Sequence, residues 1–455
     1  MSRFLLSAAH KSSGKTTISI GLSAHLSQSY NVQTFKKGPD YIDPLWLGAA
    51  SGRPAFNLDF YTMGEKEILQ CYSQNSQTSE IVLVEGNKGL YDGMELDGSN
   101  SNAALAQLLE LPVILVIDTQ GMTRGVAPLL LGYQQFEKNI RIAGVILNKV
   151  GGARHESKLR AAVEHYTDIP VVGAVHRHAD LHIDERHLGL VPSNEKQQAL
   201  AIFNTIKNKV AAQIDFELLK TLTTNSSKPP ITTETTTLKQ FSNLRIGIAK
   251  DAAFGFYYAQ DLQRFREHGA ELVFIDTFKQ QTLPAIDGLF IGGGFPETHL
   301  AELENNQSLR SDIKDKIENG LPVYAECGGL MYLSNSIQWN NKQFKMVGAI
   351  DADTVMNSRP QGRGYVCLKQ IENAPWLASS AVDAEFYAHE FHYSRLENIN
   401  PELKFRYQVL RGEGIQHKQD GVIYKNTVAS YAHLKNSDQV NWIENFLMFC
   451  QSAKV

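Results

Sequence analysis

The chain opens on an apolar run, Phe4–Ala8, and comparable runs recur at Ile81–Val84, Val113–Ile117, Ile142–Leu147 and Val171–Val175. Each has strand length and shows no polar alternation. Such runs predict strands buried on both faces, as in a parallel sheet covered by helices on either side. The segments between them carry helical patterns. In Thr16–Gln28, for example, Ile18, Leu22 and Leu26 fall on one stripe. The second half begins the same way. Leu244–Ala249 predicts a strand, Tyr258–His268 a helix, Leu272–Ile275 a strand, and Leu289–Ile291 a strand that runs into three glycines. Beyond Val347 strands predominate over helices. The pattern therefore predicts an α/β protein of two doubly wound domains.

A break in composition separates the halves. Thr221–Thr237 reads TLTTNSSKPPITTETTT, with Pro229 and Pro230 at its centre. A segment so poor in apolar side chains predicts a flexible linker. The expected division is a first domain over 1–212, a linker over 213–243 and a second domain over 244–455. Each half, at about 220 residues, can bury a core of its own.

Composition removes several classes of function. The 455 residues are 43% hydrophobic and 20% charged, which excludes a disordered or fibrous chain. The 44 basic and 48 acidic side chains leave a net charge of −4, with no basic excess to grip nucleic acid. No apolar run approaches the ~20 residues needed to cross a bilayer. Phe4–Ala9 is also shorter than a secretory h-region, and Lys11 and Lys15 follow it. A cytoplasmic protein with neither nucleic-acid nor membrane partners is expected. Cys71, Cys327, Cys367 and Cys450 are scattered and form no CxxC pair, so neither a disulfide framework nor structural zinc is expected.

Candidate chemistry lies at strand ends. Ser12-Ser13-Gly14-Lys15-Thr16-Thr17 follows the first strand and opens a helix, the setting of a phosphate-binding loop. Lys15 would hold outer phosphates, and the Thr16 hydroxyl would ligate Mg²⁺. Asp40 and Asp43 follow the strand-like Val32–Phe35, while Glu85 ends another strand and Asp92 comes just after it. Asp40 or Asp43, with Glu85, are candidate Mg²⁺ ligands. Lys36 and Lys37 either pair with substrate carboxylates or are solvated. Asn148-Lys149 is a candidate base-contacting loop. His176, His178, His182 and His187 match no usual metal-ligand spacing and read as a polar loop that meets substrate.

In the second half, Leu321–Ala325 predicts a strand leading to Glu326-Cys327-Gly328-Gly329 and an apolar helix start. This is the pattern of a nucleophile elbow. The helix dipole is expected to lower the Cys327 thiol pKa. Gly292-Gly293-Gly294 ends another strand, and its N–H groups could join that of Gly328 as an oxyanion hole. His433 is the best candidate for the base, with His389 and His392 as rivals.

Several segments together resemble the cobyrinic acid a,c-diamide synthase family, and the resemblance spans nearly the whole chain. They are SSGKTT at Ser12–Thr17, KKGPDYIDP at Lys36–Pro44, GRPAFNLD at Gly52–Asp59, EGNKGLYDG at Glu85–Gly93 and ERHLGLVP at Glu185–Pro192. The second half adds DAAFGFYY at Asp251–Tyr258, GGGFPE at Gly292–Glu297, YAECGGLMYL at Tyr324–Leu333, HEFHYS at His389–Ser394 and ASYAHL at Ala429–Leu434. The first half resembles a dethiobiotin-synthetase-like P-loop domain. The second resembles a class I glutamine amidotransferase domain of the cobyric acid synthase type.

The resemblance implies an ATP-dependent carbon–nitrogen ligase of cobalamin biosynthesis. It would use glutamine to amidate the a and c acetates of a tetrapyrrole polycarboxylate, most simply cobyrinate. Cys327 would be the nucleophile, made more reactive by His433, with Gly293, Gly294 and Gly328 as oxyanion hole. Ser12, Ser13, Gly14, Lys15, Thr16, Thr17 and Asn148 would bind nucleotide. Thr16, Asp43 and Glu85 would hold Mg²⁺, and Asp40, Tyr41 and Asp92 would meet the substrate. A homodimer is an open alternative. Many class I amidotransferases carry Glu two residues after the catalytic His, but this chain has Lys435, so another group must orient His433 or the pair acts as a dyad. The AAHKSSGKTT loop and Asn87-Lys88 resemble a subgroup that amidates sirohaem, which makes sirohaem or a sirohydrochlorin the alternative substrate. An alternative of another class is a non-catalytic, regulatory P-loop protein.

Overall fold

The computed structural model describes residues 1–181, 185–186, 189–190, 199–224, 238–371 and 384–454. The chain divides into two compact units, Met1–Glu234 and Thr235–Val455. The first is built on one sheet of β1 (Ser2–Ala8), β2 (Val32–Lys37), β3 (Phe56–Leu58), β4 (Ile81–Glu85), β5 (Val113–Asp118), β6 (Ile142–Val150) and β7 (Val171–His176). Their spatial order is β3-β2-β4-β1-β5-β6-β7, and every neighbouring pair is parallel.

All five apolar runs of this half are strands, and β1 and β4 are buried along their whole length. The chain leaves β1 for one flank and later builds β5, β6 and β7 on the other. That reversal opens a crevice at the carboxyl ends of the strands, the usual ligand site of an open α/β sheet. The helix Lys15–Leu26 buries more than its predicted stripe: Ser19, Ile20 and Ser23 are buried as well. It lies between the sheet and two other helices, Ile42–Ser51 and Ala199–Ala211, and so is covered nearly all round.

The expected linker is too long at both ends. Residues 213–224 belong to the first unit. Ile214 bridges to Gly173, and the helix Phe216–Thr223 packs on β1, β6 and β7. Leu219 and Thr223 carry its buried face, which the Thr-rich run disguises. On the other side Phe241 is buried in the second unit's core, which therefore begins before residue 244. The remainder of the expected linker, residues 225–237, lies outside the described residues, as do His182 and His187.

The second unit carries a nine-stranded sheet. In spatial order its strands are Glu271–Ile275, Arg245–Ala249, Gly288–Ile291, Val323–Glu326, Thr427–Ser430, Gln419–Tyr424, Lys404–Arg411, Gly362–Gln370 and Glu385–His392. The first five are parallel and the rest antiparallel. Alternate side chains divide between two cores. Leu289, Ile291, Val323 and Ala325 face one with the helix Gln307–Glu318, while Phe290, Tyr324, Ile246 and Ile248 face the other with the helix Trp442–Ala453. The parallel half is thus doubly wound as expected, and the antiparallel extension accounts for the strand-rich pattern beyond Val347. Among the described residues no helix is long and apolar enough to cross a membrane. All four cysteines are free and buried.

Candidate active sites

In the first unit every candidate group lies at or just beyond the carboxyl end of a strand. The loop after β1 turns into the helix Lys15–Leu26 with Ser12 and Gly14 at positive φ, 66° and 86°. Such a turn gathers successive N–H groups into a concave anion site beside the positive end of the helix. β6 braces the loop from outside. Asn148 Nδ2 donates to Ser13 O at 2.8 Å, and Lys149 Nζ donates to Ser12 O at 2.9 Å. Asn148 therefore does touch the loop, but its amide shapes the backbone there. Ser13 is buried and donates to His10 O at 2.8 Å, whereas Ser12 is exposed and Thr17 half-buried. Lys15 is buried, and its Nζ donates to Lys88 O at 2.5 Å.

Thr16, Asp43 and Glu85 come together as the spacing suggested. Thr16 Oγ1 donates to Glu85 Oε1 at 2.9 Å and lies 3.3 Å from Asp43 Oδ2. The unexpected member is Lys36, whose Nζ bridges Asp43 and Glu85 at 2.6 and 2.7 Å. Burial alone would lower the Lys36 pKa, but the two carboxylates outweigh it and the ammonium is held strongly charged. Glu85 is fully buried, and its Oε2 has no hydrogen-bond partner among the described residues. A buried oxygen left without a partner is costly. A divalent cation beside it would give that oxygen a partner, and a hydroxyl with two carboxylates suits Mg²⁺ when phosphate oxygens fill the remaining positions. Among the described residues no cluster of three or more His, Cys, Asp or Glu could hold a metal unaided.

The other candidates around this crevice have local partners. Asp40 Oδ1 accepts from Ile42 N at 2.8 Å and from Asp43 N at 3.3 Å, which caps the helix Ile42–Ser51. Burial and the neighbouring Asp43 charge push its pKa up to about 7. Tyr41 is buried. Asp92 Oδ2 accepts from Gly89 N at 2.9 Å. Burial, then the charge of Lys36, lowers Lys15 to about 8, while Glu85, Asp43 and Asp92 act in the opposite sense. Lys36 and Lys37 are both buried, so solvation is not the role of either. Asn102 was not legible in the sequence. Its Nδ2 donates to Gly89 O at 2.6 Å and its Oδ1 accepts from Asn87 N at 3.1 Å, locking the loop between Glu85 and Asp92. In the histidine-rich stretch, His176 Nε2 lies 2.8 Å from Glu156 and the His178 ring meets Lys209 Nζ.

In the second unit Cys327 ends the strand Val323–Glu326 and precedes the helix Gly328–Leu333. Its φ of 47° and ψ of −100° are the sharp, strained turn of an elbow. Gly329 is required by close approach, since a Cβ there would lie 2.2 Å from Ile291 O. The neighbouring parallel strand, Thr427–Ser430, pairs Ser430 with Glu326 and accepts the Cys327 N–H at 2.7 Å. His433 follows three residues later, so nucleophile and base candidate leave the same end of two adjacent strands. Gly293 packs on the His433 ring: a Cβ there would sit 2.6 Å from Cε1. A Cβ on Gly328 would sit 3.1 Å from Gly294 N, which places these two backbones side by side next to the thiol.

The rivals for the base have other partners. His389 stacks on His433 with ring centroids 4.9 Å apart, and its Nδ1 lies 3.1 Å from Tyr258 OH. His392 stacks on Tyr431 at 3.8 Å, and its Nδ1 lies 2.7 Å from Ser394 O. Lys435 points elsewhere, its Nζ standing 5.1 Å from the Tyr258 ring centroid. The nearest carboxyl to the His433 ring nitrogens is Glu326, with Oε2 3.5 Å from Nδ1.

The expectation of a helix-lowered thiol pKa is overturned. Burial, and then the Glu297 charge, raises Cys327 well above an ordinary thiol; only the Gly328 N–H opposes them. Burial, then His392, lowers His433 to about 3. Both shifts favour the neutral form of each group.

Comparison with known proteins matches the two units separately. A model described as a CobB/CobQ-like glutamine amidotransferase domain matches residues 245–439. One described as an AAA domain matches residues 59–184, a span that begins after the phosphate-binding loop. Cobyrinate a,c-diamide synthase of Magnetococcus marinus is 42% identical, covering 97% of this chain and 95% of that protein. The protein of the same name from Methanosarcina barkeri is 39% identical over 95% of this chain and 92% of its own length. That from Caldanaerobacter subterraneus is 36% identical over 99% and 98%. With both halves matched along nearly their full length, the chain belongs to the cobyrinate a,c-diamide synthase family.

Proposed function

We propose that the protein is an ATP-dependent, glutamine-hydrolysing ligase that converts the a and c acetate carboxylates of cobyrinate to carboxamides. The observation that carries this reading is the union, in one chain that spans 95% of a family member's length, of a cysteine elbow with an adjacent histidine and a phosphate-binding loop facing buried carboxylates.

The chemistry requires two centres. A carboxylate is a poor electrophile, so an oxygen of the substrate carboxylate attacks the γ-phosphorus of ATP, ADP leaves, and an acyl phosphate remains. Lys15 and the N–H groups of Ser12–Thr17 hold the phosphates. Thr16, Asp43 and Glu85 would hold Mg²⁺, which when bound draws negative charge from the phosphates. Asp40, Tyr41 and Asp92 line the substrate side. In the second unit Cys327 Sγ attacks the glutamine amide carbon and its proton passes to His433. The developing oxyanion takes N–H bonds from Gly293, Gly294 and Gly328. His433 returns the proton to the departing nitrogen, ammonia leaves, and water hydrolyses the thioester to glutamate. Ammonia then displaces phosphate from the acyl phosphate.

The test offers cobyrinate, sirohaem and sirohydrochlorin in parallel with ATP and glutamine, and counts amides by product mass. Two amides on cobyrinate, with ATP turnover dependent on it, are expected. Amide formed on sirohaem alone would move the substrate assignment, and no amide on any tetrapyrrole would overturn it.

A further inference from the structure

The class I pattern places an orienting carboxylate two residues after the catalytic histidine, but this chain has a lysine there, directed at the Tyr258 ring. An ammonium has no lone pair and cannot accept an imidazole N–H. Yet a base of this kind needs one ring nitrogen anchored so that the other faces the thiol. His389 cannot supply the anchor, because it lies parallel to His433, face to face rather than edge on. Glu326 comes within reach of a ring nitrogen instead. Its Oε2 is 3.5 Å from His433 Nδ1, and the two side chains are 2% and 3% exposed.

Glu326 is itself rigidly held. Its Oε1 accepts from Tyr324 OH at 2.7 Å and from Leu434 N at 2.8 Å. The second bond ties the carboxyl to the residue after His433, so the strand that delivers the nucleophile also fixes the backbone that delivers the base. Oε2 lies 3.5 Å from the imidazole Nδ1. A separation of 3.5 Å is long for a hydrogen bond, but such contacts commonly tighten once substrate is bound.

Resting on the reading of Cys327 and His433 as nucleophile and base, we propose that Glu326, the residue immediately before the nucleophile, is the positioning carboxylate of the amidotransferase site. It accepts His433 Nδ1–H and leaves Nε2 to take the thiol proton. The nucleophile and its orienting acid are thus consecutive in sequence, and the triad is completed from the strand of the cysteine rather than from the loop of the histidine.

Ionised, the carboxylate is the stronger acceptor of that N–H and stabilises the imidazolium that forms, and burial raises the Glu326 pKa to about 8. Other titratable groups face this pair. They are His389, Glu390 and His392 from the strand Glu385–His392, Asp261 from the helix Ala259–Glu267, Lys435 beyond His433, and Tyr324 and Cys327 beside Glu326. Glu297 and Asp420 act on the thiol.

The experiment uses the full chain and measures amide formation with glutamine and, separately, with ammonium chloride. Glu326→Gln should lower the glutamine-dependent kcat about 100-fold, within the range for losing a positioned acid–base group. KM for glutamine should change less than about threefold and the ammonia-dependent rate less than about twofold. Glu326→Asp should recover part of the lost rate. The wild-type glutamine-dependent rate should rise from pH 6 toward pH 9, a limb absent from Glu326→Gln and from the ammonia reaction when the latter is compared at constant free NH₃. A Gln variant with wild-type kcat would overturn the proposal. If that variant does not fold, a wild-type profile showing no such rise relative to the ammonia reaction would overturn it as well. Cys327→Ala, run alongside, separates the two layers: glutamine-dependent product from that variant would refute the nucleophile itself rather than the role of Glu326.

Discussion

Cys327, the proposed nucleophile, is a buried thiol whose surroundings favour the protonated form. Its elbow gives it the right exposure to the end of the sheet, but burial and Glu297 raise its pKa, while His433 is driven toward the neutral base. The sign of the consequence is fixed. A group whose pKa is raised is protonated through neutral pH, and its thiolate fraction climbs only as pH approaches the raised value. Alkylation of Cys327 by iodoacetamide without glutamine should therefore be slow at pH 7 and keep rising past pH 9. A fast plateau reaching down to pH 6 would instead mean a thiolate–imidazolium pair at rest. The motif points to Cys327 and His433, but not to this electrostatic state. The state depends on what surrounds the pair in space: Glu297 from a distant turn and His392 from the antiparallel extension. Lys36 teaches the same lesson. Its neighbours in sequence leave it ambiguous, and only the pairing of β2 with β4 sets it between Asp43 and Glu85.

Elements were legible where both faces of a strand are buried, because such runs carry no polar alternation to blur them. β1, β4, β5, β6 and β7 are of this kind. The helix Phe216–Thr223 was not legible, since Leu219 and Thr223 bury one side of a segment whose composition suggests a linker. The elbow is an element whose sequence and geometry agree, and it permits a sharp test. The Cβ introduced by Gly329→Ala would meet the Ile291 carbonyl at 2.2 Å, and backbone must move to admit it. The second unit should lose roughly 2 kcal/mol or more of stability. Glutamine-dependent product should fall sharply while the ammonia-dependent rate persists. A variant with unchanged melting temperature and unchanged glutamine use would show that the tight approach of Gly329 to the neighbouring strand is not needed.

At the scale of the whole molecule, the proposed reaction divides between two open sheets. Each sheet brings its candidate groups to the carboxyl ends of parallel strands, the first Lys15, Thr16, Asp43 and Glu85, the second Cys327 and His433. Activation of a carboxylate and release of nitrogen are separable steps, so each unit should fail in its own way. The most direct test pairs Cys327→Ala with Lys15→Ala, each given cobyrinate, ATP and either glutamine or ammonium chloride. Cys327→Ala should make no product from glutamine and near wild-type amounts from ammonia, whereas Lys15→Ala should make product from neither. Glutamine-driven amide from the Cys327 variant, or undiminished ammonia-driven amide from the Lys15 variant, would contradict the assignment of nitrogen release to one centre and carboxylate activation to the other.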